Sequence, residues 1–188
     1  MEKPWHKQFF SPTAAANMEN TKAKADSGDA DAQFGLGFKY ANCDGAAQDY
    51  AQAAQWYLKA ADQSHSLAQF NLAVMYANGQ GVPKDDAKAL VWFQKAALQG
   101  DAGAQFNLGM REHRASSAGL AKDALESKIE AYKWYHLAAA QGYQGSASAC
   151  ESVNLSMTKE QVADGNRRAA DFVTASAIRS PAPSLIPS

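Results

Sequence analysis

Residues 68–100 read AQFNLAVMYANGQGVPKDDAKALVWFQKAALQG. The stretch carries two apolar runs of helical spacing with a glycine- and proline-rich segment between them. In the first run Ala68, Leu72, Ala73 and Tyr76 stand at positions 0, +4, +5 and +8. At about 100° per residue these fall on one side of a helical wheel. The second run extends from Asp85 to the pair Ala96–Ala97, with Ala89 three residues ahead of Trp92 on its buried side. Between the runs lies Asn78-Gly-Gln-Gly-Val-Pro-Lys-Asp85, where two glycines and a proline cannot continue a helix. Asp85 suits the second helix's start, because a carboxylate there meets free N–H groups and the positive end of the helix dipole.

The same pattern recurs along the chain. AQF triplets begin at Ala32, Ala68 and Ala104, in steps of 36 residues. Each is followed by a leucine (Leu36, Leu72, Leu108) and then a small residue (Gly37, Ala73, Gly109). A Trp–aromatic pair recurs at Trp56–Tyr57, Trp92–Phe93 and Trp134–Tyr135, and an alanine pair follows at Ala60–Ala61, Ala96–Ala97 and Ala138–Ala139. The last two tryptophans are 42 apart, so the third unit has six extra residues. First helices are predicted over Ala32–Asn42, Ala68–Asn78 and Ala104–Arg114, and second helices from Asp49, Asp85 and Ser127 to the alanine pairs. Buried positions of the second helices include Ala53, Ala89 and Ala131.

Neither helix of a unit can bury its apolar side alone; stacked units bury a continuous core, and three are usually the minimum. The expected organisation is a loose segment at 1–12, a capping helix within 13–31, units at 32–67, 68–103 and 104–145, capping helices over 146–178, and a Pro/Ser tail at 179–188. The N-terminal cap is read from Thr21–Asp29. Thr158-Lys-Glu-Gln161 is a capping box opening the last helix, which runs to about Ala177.

The chain has 188 residues, 46% apolar and 20% charged, enough to bury a core. A net charge of −1 argues against a nucleic-acid binder, which needs a concentrated basic face. Two distant cysteines, Cys43 and Cys150, define neither a disulfide framework nor a zinc pattern. Cys43 is read as a small loop residue and Cys150 as a buried hydrophobe. No apolar run reaches the ~18 residues of a membrane span, and Met1–Phe10 has no apolar signal core. The location is cytoplasmic if the sequence is full length, and periplasmic or secreted if a signal peptide was removed.

The combination A-x-x-L-G-x-x-Y, G-x-G-V-x-x-D and A-x-x-W-x-x-K-A-A-x-x-G at this period resembles the Sel-one-like repeat (SLR), a longer-looped relative of the tetratricopeptide repeat. Unit two carries Ala68, Leu72, Tyr76, Gly79, Gly81, Val82, Asp85, Ala89, Trp92, Lys95, Ala96, Ala97 and Gly100 at the family positions. Unit one has Cys43 for the first loop glycine and Ala46 for the valine. Unit three departs most, with Glu112 for the tyrosine, Leu137 for the lysine and a rewritten loop from Ala115 to Ser127. The resemblance covers residues 32–145. It implies an all-α fold, a right-handed solenoid of antiparallel helix pairs, and the role of an adaptor, assembly factor or signalling scaffold.

No catalytic constellation emerges. His6, His65, His113 and His136 share no repeat position and form no metal-ligand spacing, and His136 reads as a solvated or packed side chain. Gly79-Gln-Gly81 lacks the Gly-Lys-Ser/Thr ending and the preceding strand of a phosphate loop. Neither a cofactor nor a metal is expected. The informative feature is the other side of the first helix. Positions +2 and +6 lie at about 200° and 240°, away from the buried set centred near 65°. They are Phe34 and Phe38, Phe70 and Val74, Phe106 and Met110. An apolar ladder on that side would mark a peptide groove on the concave face, with Asn71 and Asn107 bonding a peptide backbone. The competing reading packs the repeated phenylalanines between units. The unit-three segment beginning Arg111-Glu-His-Arg114 is a second candidate, since insertions often carry specificity. The expected partner is a protein or peptide. Two other readings are an enzyme or enzyme inhibitor of the β-lactam-related repeat type, although the paired cysteines are absent, and a self-assembling module.

Overall fold

The computed structural model describes residues 12–42, 48–118 and 123–179, and every regular element among them is an α-helix. These are α1 (Pro12–Asp26), α2 (Ala30–Asn42), α3 (Tyr50–Asp62), α4 (Ser66–Asn78), α5 (Asp86–Leu98), α6 (Ala102–Ser117), α7 (Ala124–Ala140), α8 (Ser146–Asn154) and α9 (Lys159–Arg179). Consecutive helices pair: α1 packs on α2, α2 on α3, α3 on α4, α6 on α7, and α7 on α8 and α9. The chain divides into two compact units, Met1–Trp92 and Phe93–Ser188. Of the segments expected to be loose at 1–12 and 179–188, residues 1–11 and 180–188 lie outside the described residues, as do Cys43 and Ala46, while Pro12 and Arg179 belong to α1 and α9.

Helix ends follow local chemistry. Asp49 accepts from the Gln52 N–H at 2.9 Å, and Asp85 from those of Ala87 and Lys88 at 3.1 and 2.9 Å. Each such cap contributes about 1 kcal/mol. The helix-donated hydrogen bonds hold the Asp85 carboxyl below the usual range. The α4–α5 loop turns on Gly79 and Gly81, at φ 71° and 68°. A Cβ on Gly81 would lie 2.1 Å from the Tyr50 carbonyl oxygen, so glycine there is required by space as well as by backbone angle. The capping box forms as expected: Thr158 N–H donates to Gln161 Oε1 at 2.9 Å, and Gln161 N–H to Thr158 Oγ1 at 3.4 Å.

The expected alanine and leucine positions are buried, among them Ala53, Ala89, Ala131, Leu36, Leu72 and Leu108. In the first unit Ala25, Ala32, Leu36 and Trp56 form one cluster, with Tyr40 packed against it. In the second, Ala131, Tyr132, Tyr135 and Val153 form another, flanked by Phe106, Ala149, Cys150, Met157 and Val162. Cys150 is therefore half-buried rather than buried, and Tyr76, expected in the core, is also half-buried.

The rewritten loop of unit three is shorter than Ala115–Ser127. Helix α6 runs to Ser117 because no glycine stops it, and α7 starts at Ala124 because Asp123 caps it, accepting from Leu125 and Glu126. Arg111 and Arg114 lie on α6, within the helix expected over Ala104–Arg114, and the segment that follows them stays helical to Ser117. The N-terminal cap helix α1 begins at Pro12 and stops at Asp26, ahead of Gly28 at φ 101°.

The glutamine of each AQF triplet is buried: Gln33, Gln69 and Gln105 are 5%, 3% and 1% exposed. Their Nε2 atoms donate to the carbonyls of Ala25, Ala61 and Ala97 at 3.0, 3.0 and 3.4 Å. Those carbonyls belong to the last turn of the preceding helix, beyond the reach of its i→i−4 bonds, and each also accepts a turn N–H, from Gly28, Ser64 and Gly100 at 3.1, 3.0 and 3.0 Å. Gln33 Oε1 accepts from Gln63 at 2.8 Å, and Gln105 Oε1 from Gln141 at 2.9 Å.

On α9, the Arg168 guanidinium bonds Glu126 and Glu130 of α7 as well as Asp164. Hydrogen bonds from Arg168 hold the Glu126 carboxyl below its ordinary range, and those from Arg167 and Arg168 do the same for Asp164.

Two outcomes follow for stability. Gln69→Ala removes the side-chain donor of the Ala61 carbonyl, which keeps the Ser64 N–H at 3.0 Å, and is expected to cost about 1 kcal/mol in urea unfolding, against under ~0.5 kcal/mol for truncating an exposed residue such as Gln55. Depressed carboxylates stabilise the fold above their unfolded range and lose that contribution as pH falls through the folded one. Melting temperature should therefore drop between about pH 5 and pH 3, more steeply in wild type than in Arg168→Met; equal slopes would contradict the linkage.

Candidate functional site

The outward side of the first helices separates into two layers. Phe34 and Phe106, at position +2, are half-buried among other rings. Phe34 lies 5.7 Å from Tyr57 and stacks on His65 at 4.7 Å. Phe106 lies 5.4 Å from Tyr135 and 5.3 Å from Tyr143. In both cases one ring comes from the second helix of the same unit, and the other from just before or after the junction that follows it. Phe70 is likewise half-buried. The tyrosines reach this position because Gly37 and Gly109 leave room: a Cβ there would come within 2.6 Å of Tyr57 and 2.7 Å of Tyr135. Burial raises the Tyr57 hydroxyl to about 12, so it stays neutral.

Position +6 is different. Phe38 is 53% and Met110 44% exposed, while Val74 is half-buried. Leu67, one residue ahead of the AQF triplet of unit two, adds a further exposed apolar side chain at 48%. Asn71 and Asn107 each use one amide N–H on their own helix, donating to Leu67 O at 2.9 Å and Gly103 O at 2.8 Å. Among the described residues their oxygens and second N–H groups make no further hydrogen bond. Arg111 and Arg114 are exposed on α6, and Arg111 lies 3.7 Å from Glu112.

Sequence reasoning passed over the residue that opens each first helix. Asp29 and Asp101 cap α2 and α6, each accepting from an N–H three residues on at 2.7 Å. In unit two the same place holds His65, whose Nδ1 accepts from Ala68 N–H at 3.2 Å while Nε2 faces Asp31 Oδ1 at 3.2 Å. The Nε2–H tautomer meets both contacts, so His65 is part of the ring stack and of the helix cap together. The triplet glutamines were also missed. They lie at about 100° on the wheel, inside the buried sector, and are unchanged in all three units; that combination is the signal.

Among the described residues, no three His, Cys, Asp or Glu side chains converge as metal ligands. Burial pushes the Cys150 thiol up, the opposite of an activated nucleophile. In the second unit a cavity of about 590 Å³ is lined by Leu98, Gln105, Leu137, Gln141, Phe172 and Val173, among others. Among the described residues no helix is long and apolar enough to cross a membrane.

The Sel1 repeat family model matches residues 30–65, 66–101 and 102–143. These spans start where α2, α4 and α6 start. A solved Sel1 repeat protein from Oxalobacter formigenes is 37% identical, with a TM-score of 0.59, covering 72% of this chain and 98% of that one. The chain belongs to the Sel1 repeat family, whose members generally act as protein-interaction scaffolds and are typically non-enzymatic. A second similar structure is c5321, a protective antigen of uropathogenic Escherichia coli with an SLR fold, at 22% identity and a TM-score of 0.52. The match covers 95% of this chain and 46% of that one, and the likeness is one of fold. No curated protein matches the sequence.

The two layers predict different mutational costs. Phe106→Ala should destabilise by about 2–4 kcal/mol, because it empties a space among three rings. Phe38→Ala should change stability by under ~1 kcal/mol. Thermal or chemical unfolding of both variants distinguishes a packed layer from a surface layer.

Proposed function

We propose that this chain is an interaction scaffold that holds a peptide or protein segment against the outward side of its first helices, the side that lines the concave surface in solenoids of this class. One observation carries the reading. At position +6 the residue type changes from Phe38 to Val74 to Met110 yet stays apolar, and two of the three are about half exposed. Neighbouring +2 rings are packed and repeat unchanged. A position kept apolar without being buried is what a binding surface requires. The amides of Asn71 and Asn107, in units two and three, supply hydrogen bonding beside it.

Photo-crosslinking tests the assignment. A photoreactive phenylalanine at positions 38 and 110 should yield partner adducts, whereas the same group at Leu58 and Val91, exposed apolar positions on second helices, should not. The reverse pattern would place binding on the other side. Adducts only with a second copy of the chain would favour self-assembly. Phe38→Glu and Met110→Glu should abolish partner adducts while leaving the circular dichroism spectrum unchanged.

A further inference from the structure

Helix α6 carries a combination absent from α2 and α4. Asn107, Met110, Arg111 and Arg114 are spaced i, i+3, i+4 and i+7, so they form one stripe along the helix. At the positions of the two arginines, α2 has Lys39 and Asn42, and α4 has Met75 and Asn78. Met75 is buried and Asn78 bonds to Gln80 at 3.3 Å. Only unit three presents two guanidinium groups one turn apart beside an exposed apolar side chain. Arg111 is half exposed, and its ion pair with Glu112 is long, at 3.7 Å, with Glu112 itself partly covered. No carboxylate among the described residues pairs with Arg114. The helix therefore displays more positive charge than its own acids neutralise.

We infer that this stripe selects an acidic partner segment, in which carboxylates pair with Arg111 and Arg114 while an adjacent apolar side chain packs on Met110. The inference rests on the outward-face reading above and adds the chemistry of the bound segment. Guanidinium matches a carboxylate in planar, two-point geometry, which a lysine does not. Methionine adapts to apolar side chains of differing shape. Asn107 retains an amide oxygen for a backbone N–H of the same segment. A phosphate backbone fits less well, since two cations on a chain of net charge −1 release few counterions.

Random peptides of about 12 residues displayed on phage and selected on the intact protein test this. Binders should be enriched in Asp and Glu next to Leu, Met or Phe. Their affinity should fall by about tenfold or more in Arg111→Gln/Arg114→Gln, and by a similar factor between 0.1 and 0.5 M salt. Both arginines are exposed, so the double variant should melt as wild type does. Binders lost in Phe38→Glu or Met110→Glu but carrying no acidic enrichment, or indifferent to the arginine pair, would overturn the carboxylate assignment and leave the surface standing. Binders indifferent to all these variants, or a failure to select any, would overturn both.

Discussion

Every α-helix ends with carbonyls that its own backbone cannot satisfy, and in a stack of short helices those ends are buried against the next element. Here the turn after the preceding helix supplies backbone donors, with the N–H groups of Gly28, Ser64 and Gly100 reaching the carbonyls of Ala25, Ala61 and Ala97 at 3.1, 3.0 and 3.0 Å, and one glutamine per unit adds a buried side-chain donor to the same carbonyls. Gln33, Gln69 and Gln105 each donate to a carbonyl eight residues earlier, across the junction between helices. Gln33 and Gln105 also accept from a glutamine at the end of the following second helix. One amide thus ties three helices together and sets the spacing of first helices along the chain. A buried polar group of this kind is costly when unmatched, so it opposes slippage between units more sharply than alanine contacts alone would.

With the junctions held in this way, the aromatic residues sort by depth. Tyr57 and Tyr135 press against Gly37 and Gly109, and their rings take up the +2 phenylalanines. Position +6 is left uncovered on the same helices. The proposed interaction surface is what remains after the rings have packed. Unit two differs at its first residue: His65 does the capping done elsewhere by Asp29 and Asp101 and adds a ring to the stack.

Unit three shows how a local departure reshapes the surface. Losing the glycine stop lets α6 run to Ser117, beyond the ends of α2 and α4 at Asn42 and Asn78, while Arg111 and Arg114 stand at positions that are helical in all three units. The expected insertion loop became a longer helix. Downstream, α9 is tied to α7 by the ion pairs of Arg168 together with the Trp134–Phe172 ring contact and the Tyr132 hydroxyl bond to Asn166, so the capping end adds charge to the rings and amides that the repeats use.

The period of 36 residues, the alanine and leucine positions, the caps Asp49 and Asp85 and the capping box at Thr158 were all legible in the chain, because each depends on contacts within a few residues or on strict repetition. The candidate surface was legible only as a side of a helix. Phe34 and Phe38 differ by four positions and lie close on the wheel; the sequence distinguishes them only through the change of residue type at +6 between units, and the ring of Tyr57 and the stack on His65 show the difference in packing. The triplet glutamines could be placed in the buried sector but not given a purpose until the carbonyls opposite them were known. Sequence by itself determined the repeat and its helices, because local propensity and periodic burial specify them. Which polar groups are buried, and which apolar ones are left for a partner, was decided by tertiary packing, because both depend on what residues distant in the chain bring to the same place.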